Sequence, residues 1–258
     1  VLLSAVGQGT GGDDSPPLAP APLRIKLESV AKDLAAKGRD SELSVLLDVM
    51  AKLGQEPTAL AKLREMLVAE CKKRKLEVMA HGISSRRPIH AGMTPDVERT
   101  YIRTSIAAVT KAMGTAPTGW LGPDYAESMN TPNLLAAEGI RYVCDWANKE
   151  QPYRMKVPQG ELYSVGVNYD LDDVFIHWTG RRLIDEYRQI LVDEFNGLYR
   201  DGGQSGRLMV VNLHPWVMGW PWRSKYLAEA MEYISKFPSV WKANPSEVVD
   251  WYKANANI

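Results

Sequence analysis

The chain has 258 residues, of which 45% are hydrophobic and 24% are charged, a composition typical of a folded globular protein and not of a disordered or collagen-like one. Lysine and arginine together number 31, as do aspartate and glutamate, so the net charge is zero and no basic excess exists to bind a nucleic-acid backbone. Cys71 and Cys144 are far apart in sequence, which excludes a disulfide framework and a structural zinc finger.

The length and the distribution of apolar residues predict how the chain is organised. No apolar stretch reaches the roughly 20 residues that a membrane-spanning helix needs, so we expect no membrane partner. We expect a cytoplasmic location, with a secreted or periplasmic one as the alternative because the chain starts at Val1 and not at methionine. A single domain is predicted over residues 1–258, with residues 1–40 as a divergent, loop-rich N-terminal part.

The apolar pattern predicts alternating strands and helices along the chain. Strands are predicted over 1–6, 76–80, 117–121, 140–144 and 207–213, and helices over 27–53 with a break near residue 38, 63–73, 94–113, 134–138, 182–199, 224–236 and 245–253. Thr94 and Pro95 indicate the start of the third of these helices, as N-cap and first helical residue. This α/β alternation favours a parallel sheet with right-handed crossovers, and the chain length favours a closed or nearly closed barrel.

Polar residues follow several of the predicted strands at their C-terminal ends, where such folds keep their sites: His81, Asp124, Asp145 and His214. His214 ends an apolar strand before Pro215, and we interpret it as a catalytic acid or base in preference to a structural cap. His81 precedes a glycine that lets the backbone turn sharply, which indicates an imidazole facing a cleft, as a metal ligand or as a base.

Other histidines and carboxylates are given structural interpretations. His90 and His177 lie in ordinary loop or strand-edge surroundings. Asp170, Asp172 and Asp173 are interpreted as solvated loop charges, with a binding loop as the alternative.

Aromatic residues are the second signal in the sequence. Trp216 and Trp220 follow His214 closely, and Trp120 and Trp146 lie beside other candidate loops. Such rings form a stacking platform for a sugar or heterocycle, an apolar patch against another subunit, or part of the core, and the sequence leaves these open. As candidate substrate-binding residues we take these four tryptophans and Arg223, which would pair with an anionic group.

Four segments in this order and spacing resemble the motifs of the polysaccharide deacetylase (NodB-homology) superfamily, and they are most similar to its allantoinase-like branch: residues 81–85 (HGISS), 119–124 (GWLGPD), 142–146 (YVCDW) and 213–215 (LHP). The resemblance extends from about Leu46 to Tyr252. It implies a distorted (β/α) barrel of the NodB type that hydrolyses carbon–nitrogen bonds other than peptide bonds, in an N-acyl group, a cyclic amide or a ureide.

The resemblance also implies roles for the polar residues. Amide hydrolysis needs an activated water, a stabilised oxyanion and an acid for the leaving nitrogen. His214 would be the general acid and His81 would hold a metal or orient the water. Asp124 or Asp145 would be the base or the carboxylate that positions a histidine. The alternative is a catalytically degraded barrel that binds a carbohydrate or heterocycle without turnover.

Two departures from the family pattern concern the metal. Metal-dependent members pair two histidines four residues apart, whereas the residue four positions after His81 is Ser85 here. Their first motif is an Asp pair at the end of the first strand, whereas Asp13-Asp14 lies in a Gly/Pro-rich loop. Because catalytic zinc usually has three protein ligands, we expect either no cofactor or one divalent ion such as zinc bound through His81, with His90 as a less favoured second ligand. A small cyclic amide or ureide is preferred to a polymeric sugar, and the allantoinase-like relatives suggest a homo-oligomer.

Overall fold

The computed structural model describes residues 2–3 and 58–256, and side chains from residue 62 onward. Two units are distinguished: residues 1–7 with 77–258, and residues 8–76. The predicted helices over 27–53, most of the first predicted strand, and Asp13-Asp14 lie outside the described residues. The predicted single domain over 1–258 stays a prediction.

Most α-helices of the described residues match a predicted helix, whereas the four-residue helix directly after His214 was not predicted. They are α1 (Thr58–Lys73), α2 (Pro95–Met113), α3 (Thr131–Ala137), α4 (Ile184–Gly202), α5 (Pro215–Met218), α6 (Pro221–Ile234) and α7 (Pro245–Asn255). Helix α2 begins after Thr94 with Pro95 in its first turn, as predicted, and ends at Gly114 with a positive φ of 85°. At the start of α7, the side chain of Asn244 accepts from the backbone N–H of Glu247, whose carboxylate accepts from that of Asn244.

A six-stranded sheet carries the site. Its strands are β1 (Leu2–Leu3), β2 (Met79–Ala80), β3 (Gly119–Trp120), β4 (Tyr142–Val143), β5 (Tyr153–Met155) and β6 (Leu162–Ser164). They lie in the order β1-β2-β3-β4-β6-β5, with β1 to β4 and β6 parallel and β5 antiparallel to β6. The α/β class and the parallel sheet are confirmed, and within the described residues the sheet is open. The β5–β6 pair was not predicted.

The predicted strand over 207–213 pairs in no ladder of the described residues, and in this respect the prediction is wrong. Its side chains nevertheless alternate between two apolar clusters, which indicates an extended backbone. Leu208 and Val210 pack against one apolar cluster, and Met209 and Val211 pack against the other. Isolated backbone bonds hold it, including Leu208 N–H to the carbonyl of Glu150 at 2.8 Å.

These two clusters lie in the larger unit. The sheet cluster comprises Leu121, Tyr142, Cys144, Tyr163, Val165, Val167 and Val249, and the helical cluster comprises Leu171, Ile176, Tyr187, Leu191, Val192, Val217, Met218 and Ala230. The partly buried residues 208–211 pack on both clusters, and this packing positions His214. None of the described helices is long and apolar enough to cross a membrane.

Candidate active site

His214 forms a close pair with Asp173. Its Nδ1 lies 2.6 Å from Oδ1 of Asp173, and its backbone N–H donates to Oδ2 at 2.8 Å. Because a carboxylate only accepts, Nδ1 carries the proton and Nε2 is left to exchange one with a substrate. Burial acts to lower the pKa of His214, but the hydrogen bond and charge of the fully buried Asp173, with the charges of Asp172 and Asp124, raise that pKa overall.

His81 follows β2 and has the opposite electrostatic environment. Its Nδ1 donates to the backbone carbonyl of Leu121 at 2.6 Å, which leaves Nε2 as the unprotonated nitrogen of the neutral ring. Burial lowers the pKa of His81 and outweighs the hydrogen bond to the Leu121 carbonyl, which raises it. The nearby charge of His214 lowers this pKa further, and the charge of Asp124 raises it. Gly82 has a φ of 68°, so the predicted sharp turn after the imidazole is confirmed.

Asp124 lies in a strained loop between the two histidines. Asp124 and Tyr125 have φ values of 55° and 57°, a left-handed backbone conformation that residues other than glycine rarely adopt. The charge of Asp124, an exposed residue, raises the pKa of both His81 and His214. His81, Asp124 and His214, which come from three of the four motifs, are therefore close enough to influence one another electrostatically.

Asp145 is buried and contacts this loop through Gly122. It is 6% exposed, and its Oδ1 accepts the backbone N–H of Gly122 at 2.8 Å. Its Oδ2 has no N–H or O–H donor among the described residues and faces the carboxyl of Glu127. Glu127 in turn accepts the indole N–H of Trp146 at 3.0 Å. Glu127 was not predicted as a site residue, because it lies in an irregular loop without a recognisable pattern.

A buried network around Asp172 supports the pair formed by His214 and Asp173. Asp172 accepts the hydroxyl of Tyr125, the amide of Asn212 at 2.7 Å and the backbone N–H groups of Val174 and Phe175 at 2.8 and 3.1 Å. Burial and the neighbouring Asp172 raise the pKa of Tyr125, so its phenol stays protonated.

The interpretation of Asp172 and Asp173 as solvated charges is wrong, because they are 1% and 0% exposed. Asp170 is exposed, so that interpretation holds for it alone. The apolar residues Val174 and Ile176 directly after the two aspartates were the sequence signal for burial.

The chemistry of the donor atoms argues against a resident metal in this part of the chain. Among the described residues, the group of histidine, cysteine and acidic side chains close enough to share an ion consists of Asp172, Asp173 and His214. Asp173 uses both oxygens on His214, and Asp172 accepts four hydrogen bonds. His81, the predicted ligand, belongs to no such group in the described residues. The described side chains therefore do not fit a three-ligand zinc site.

Exposed aromatic rings extend from His214 over the neighbouring surface. The ring of Trp216 lies 5.1 Å from that of His214 and 5.0 Å from that of Trp178. Trp220 donates its indole N–H to the carbonyl of Trp216 at 3.2 Å. These indoles are between 43% and 58% exposed, which leaves them accessible to a ligand.

The other predicted substrate-binding residues occupy different environments. Trp146 is 40% exposed, whereas Trp120 is completely buried in β3. Arg223 donates to the carbonyl of Val217 at 3.1 Å, and its guanidinium lies 4.5 Å from the ring centre of Trp222. Because its ring is buried, we do not assign Trp120 to the substrate site. The guanidinium of Arg223 already contacts Val217 and Trp222.

His90 and His177, the two histidines for which we predicted structural roles, make local contacts. Exposed His90 accepts the backbone N–H of Gly92 at 3.2 Å. His177 bonds the carbonyl of Arg182 at 3.2 Å and packs edge-on against Tyr187. These contacts agree with their structural interpretation.

A polar cavity of about 280 Å³ lies beside the loop that precedes Asp172. Its wall includes Asn148, Lys149, Asn168, Asp170 and Glu194. Neither His81 nor His214 lines it, so we do not assign the reacting group of a substrate to this cavity.

Comparisons with known proteins reveal what shares this architecture. No protein-family model matches the chain. A peptidoglycan deacetylase from Helicobacter pylori is 24% identical over 206 residues, covering 67% of this chain and 69% of the relative. The crystal structure of a PuuE allantoinase superposes with a TM-score of 0.68 at 23% identity over 78% of this chain and 66% of that one.

Two further crystal structures, both of proteins described as polysaccharide deacetylases, match similarly. One, from Pseudomonas aeruginosa, has a TM-score of 0.69 at 22% identity over 78% of this chain and 67% of that one. The other, from Mycobacterium smegmatis, has a TM-score of 0.67 at 21% identity over 98% of this chain and 96% of that one. The chain has the fold of these allantoinase and deacetylase structures. The expected resemblance and the expected NodB-type (β/α) architecture are thereby confirmed.

The scores do not separate the two branches of this NodB-type fold. The allantoinase and the two deacetylases differ by at most 0.02 in TM-score. This chain spans about two thirds of the length of the first two of these structures. The preference for the allantoinase-like branch consequently stays a prediction.

Proposed function

We propose that the chain is a hydrolase of carbon–nitrogen bonds other than peptide bonds, with His214 as the general acid. The observation that carries the proposal is the bond from Nδ1 of His214 to the buried Asp173, beside a second imidazole of opposite electrostatic bias. Two groups of one kind whose environments push their pKa values apart are suited to act as base and acid in a single reaction. The deacetylase and allantoinase relatives support the same reaction class.

His81 would begin the reaction as the base. Its lowered pKa keeps the ring neutral at pH 7, and the Leu121 carbonyl fixes the proton on Nδ1. Nε2 therefore has the lone pair that can take a proton from a water molecule as the water oxygen attacks the substrate carbonyl carbon. Asp124 would stabilise the imidazolium that forms, because its charge favours the protonated ring.

His214 would complete the reaction as the acid. The tetrahedral intermediate collapses when the carbon–nitrogen bond breaks, and the leaving nitrogen takes the proton from Nε2 of His214. Asp173 keeps Nδ1 protonated and stabilises the imidazolium before that step. Exchange with solvent then deprotonates His81 and reprotonates His214, which closes the cycle.

The substrate would be a small ring or an N-acylated sugar that lies against the exposed indoles. Trp216 is in ring contact with His214, and Trp146 lies shortly after β4. The substrate ring would lie against one or both of these indoles. Stacking on an indole is suited to the apolar face of a sugar and to a planar ureide. Of the two, we favour the cyclic amide or ureide.

Turnover of a small panel tests the function. The panel contains allantoin, hydantoin and an N-acetylated chitooligosaccharide, and the measurement is the new carboxylate by proton NMR. We expect one class to be hydrolysed, and His214→Ala to lower kcat/KM by about 10²- to 10⁴-fold, the usual contribution of a general acid. His90→Ala is the matched control, because His90 is exposed and bonds only its own turn among the described residues. Full activity in folded His214→Ala contradicts the assigned role.

A binding role without turnover is the second candidate. The continuous contact from His214 through Trp216 to Trp178 favours it, because exposed rings in a row are a recognition surface with or without chemistry. Calorimetry with the same panel separates the two: heat of binding without any carboxylate product supports the binding role.

A further inference from the structure

Two buried carboxyl oxygens face each other without a hydrogen-bond donor between them. Oδ2 of Asp145 and Oε1 of Glu127 are both shielded from solvent, and neither has an N–H or O–H partner among the described residues. The two carboxyl groups lie within hydrogen-bonding reach of one another. Buried polar atoms are nearly always hydrogen-bonded, so this contact needs an explanation.

We propose that Asp145 and Glu127 share one proton, and that the pair is a positioning device which fixes Trp146 and the Asp124 loop at the site. Two ionised carboxylates in contact at a buried position repel each other and pay the desolvation cost twice. One proton turns the repulsion into an O–H···O⁻ hydrogen bond, which is among the stronger kinds. The electrostatics agree, because burial raises the pKa of both carboxyls. The charge and hydrogen bond of Glu127 raise the pKa of Asp145 further, whereas the hydrogen bond to Asp145 lowers that of Glu127, so Asp145 is the proton donor of the pair.

The remaining oxygens of the pair hold two separate parts of the site. Oε2 of Glu127 accepts the indole N–H of Trp146 at 3.0 Å. Oδ1 of Asp145 accepts the backbone N–H of Gly122 at 2.8 Å, two residues before the strained Asp124. The shared proton therefore joins the end of β4 to the loop after β3, and it orients an indole and a carboxylate together.

The segment that carries Glu127 is itself anchored. The hydroxyls of Ser128 and Thr131 donate to the carboxylate of Glu98, a fully buried residue of α2. A segment fixed by two such bonds holds Glu127 in place, which makes the contact with Asp145 a lasting feature of the fold.

Other titratable groups lie near the pair. The charge of Glu98 acts on Glu127, and Cys144 and Tyr169 are the neighbours of Asp145. Burial raises the pKa of the Cys144 thiol and of the Tyr169 phenol, so both stay protonated between pH 5 and 8. A change of stability in that range that depends on Glu127 then reports the shared proton.

The importance of the pair for catalysis rests on the proposed function, whereas the shared proton does not. The test therefore measures folding and fluorescence and not turnover. Its variants are Glu127→Gln, Glu127→Ala and Trp146→Phe. Glu65→Gln is the matched control, because Glu65 is exposed on α1. The midpoint of urea unfolding is measured from pH 5 to pH 8 for each protein.

A carboxyl whose folded pKa is raised stabilises the fold at low pH and loses that contribution as the pH rises through the folded pKa. The wild-type midpoint should consequently fall relative to that of Glu127→Gln between pH 5 and 8, since the glutamine amide donates to Asp145 at every pH. The difference between wild type and Glu65→Gln should not change with pH. A constant difference between wild type and Glu127→Gln would overturn the proposal.

The indole supplies an independent readout. Subtracting the spectrum of the matching Trp146→Phe protein isolates the emission of Trp146. We expect that emission to move to longer wavelength in Glu127→Ala, which frees the indole N–H, and to be restored in Glu127→Gln. Unchanged emission in Glu127→Ala overturns the positioning role. A wild-type midpoint that calcium raises, with no effect on Glu127→Gln, would mean that a cation replaces the proton and also overturns the proposal.

Discussion

Replacing Asp173 by asparagine tests the core of the mechanism with the smallest change of shape. Asp173 accepts both the Nδ1–H and the backbone N–H of His214. An asparagine oxygen can keep the backbone bond, but its amide nitrogen then faces Nδ1 as a donor. The neutral ring must then place its proton on Nε2, and the imidazolium loses its buried counter-charge. The pKa of His214 should fall, because the hydrogen bond and charge of Asp173 are what raise it against burial.

The size of the effect follows from the bond that is lost. A hydrogen bond between charged partners contributes about 1.5–3 kcal/mol, and the contact between His214 and Asp173 is short at 2.6 Å. If that bond supports the acid in the transition state, kcat should fall by about 10- to 150-fold, at 1.36 kcal/mol for each factor of ten. The double variant Asp173→Asn/His214→Ala should be no slower than His214→Ala alone, since Asp173 acts only through the imidazole.

Single-turnover kinetics at pH 7 measure the loss, and circular dichroism checks that each variant is folded. The alkaline limb of the kcat/KM profile should also move to lower pH in Asp173→Asn, because the acid form of His214 exists only below its pKa. Two results would refute the reasoning: full kcat in the folded variant, or losses that simply add in the double variant.

Three further outcomes follow from the same geometry. Asp124→Asn keeps the left-handed backbone, which asparagine tolerates, and should move both limbs of the kcat/KM profile to lower pH because Asp124 raises the pKa of both imidazoles; a profile with fixed limbs contradicts this. Gly82→Ala should lower the free energy of unfolding in urea by about 3 kcal/mol, because φ is positive there and a Cβ would meet Tyr101 and the ring of Pro123. Gly114→Ala should lower it by only about 1 kcal/mol, because φ is positive there but the space is open. Dialysis against a chelator should leave the unfolding midpoint unchanged, since the donor atoms of the acidic cluster beside His214 are already hydrogen-bonded; a drop of several degrees contradicts this.

Local signals in the sequence predicted much of the scaffold. Thr94 and Pro95 predicted the start of α2, because residue preferences at a helix start act over a few positions and leave a recognisable pattern. His81 and His214 were found by the same means, each at the end of a short apolar run. The β5–β6 pair was not predicted from the sequence.

Contacts over long distances in sequence could not be predicted in the same way. Asp173 is 41 residues from its partner His214, and the apolar residues that follow it indicate burial but not which side chain it meets. Trp120 was grouped with the ring-stacking residues because a tryptophan in a motif looks the same whether its ring is buried or free. Burial and partner choice come from the packing of the whole sheet, which the sequence pattern of one segment does not contain.

The assignment of acid and base shows the same dependence on environment. His81 and His214 are the same side chain, each at the end of an extended segment and each bonded through Nδ1. The acceptor decides the role: a neutral carbonyl gives little support to the charged ring of His81 against burial, whereas a buried carboxylate gives His214 strong support. Giving His81 a carboxylate acceptor would therefore raise its pKa and protonate the proposed base, so the reaction depends on keeping the two acceptors different.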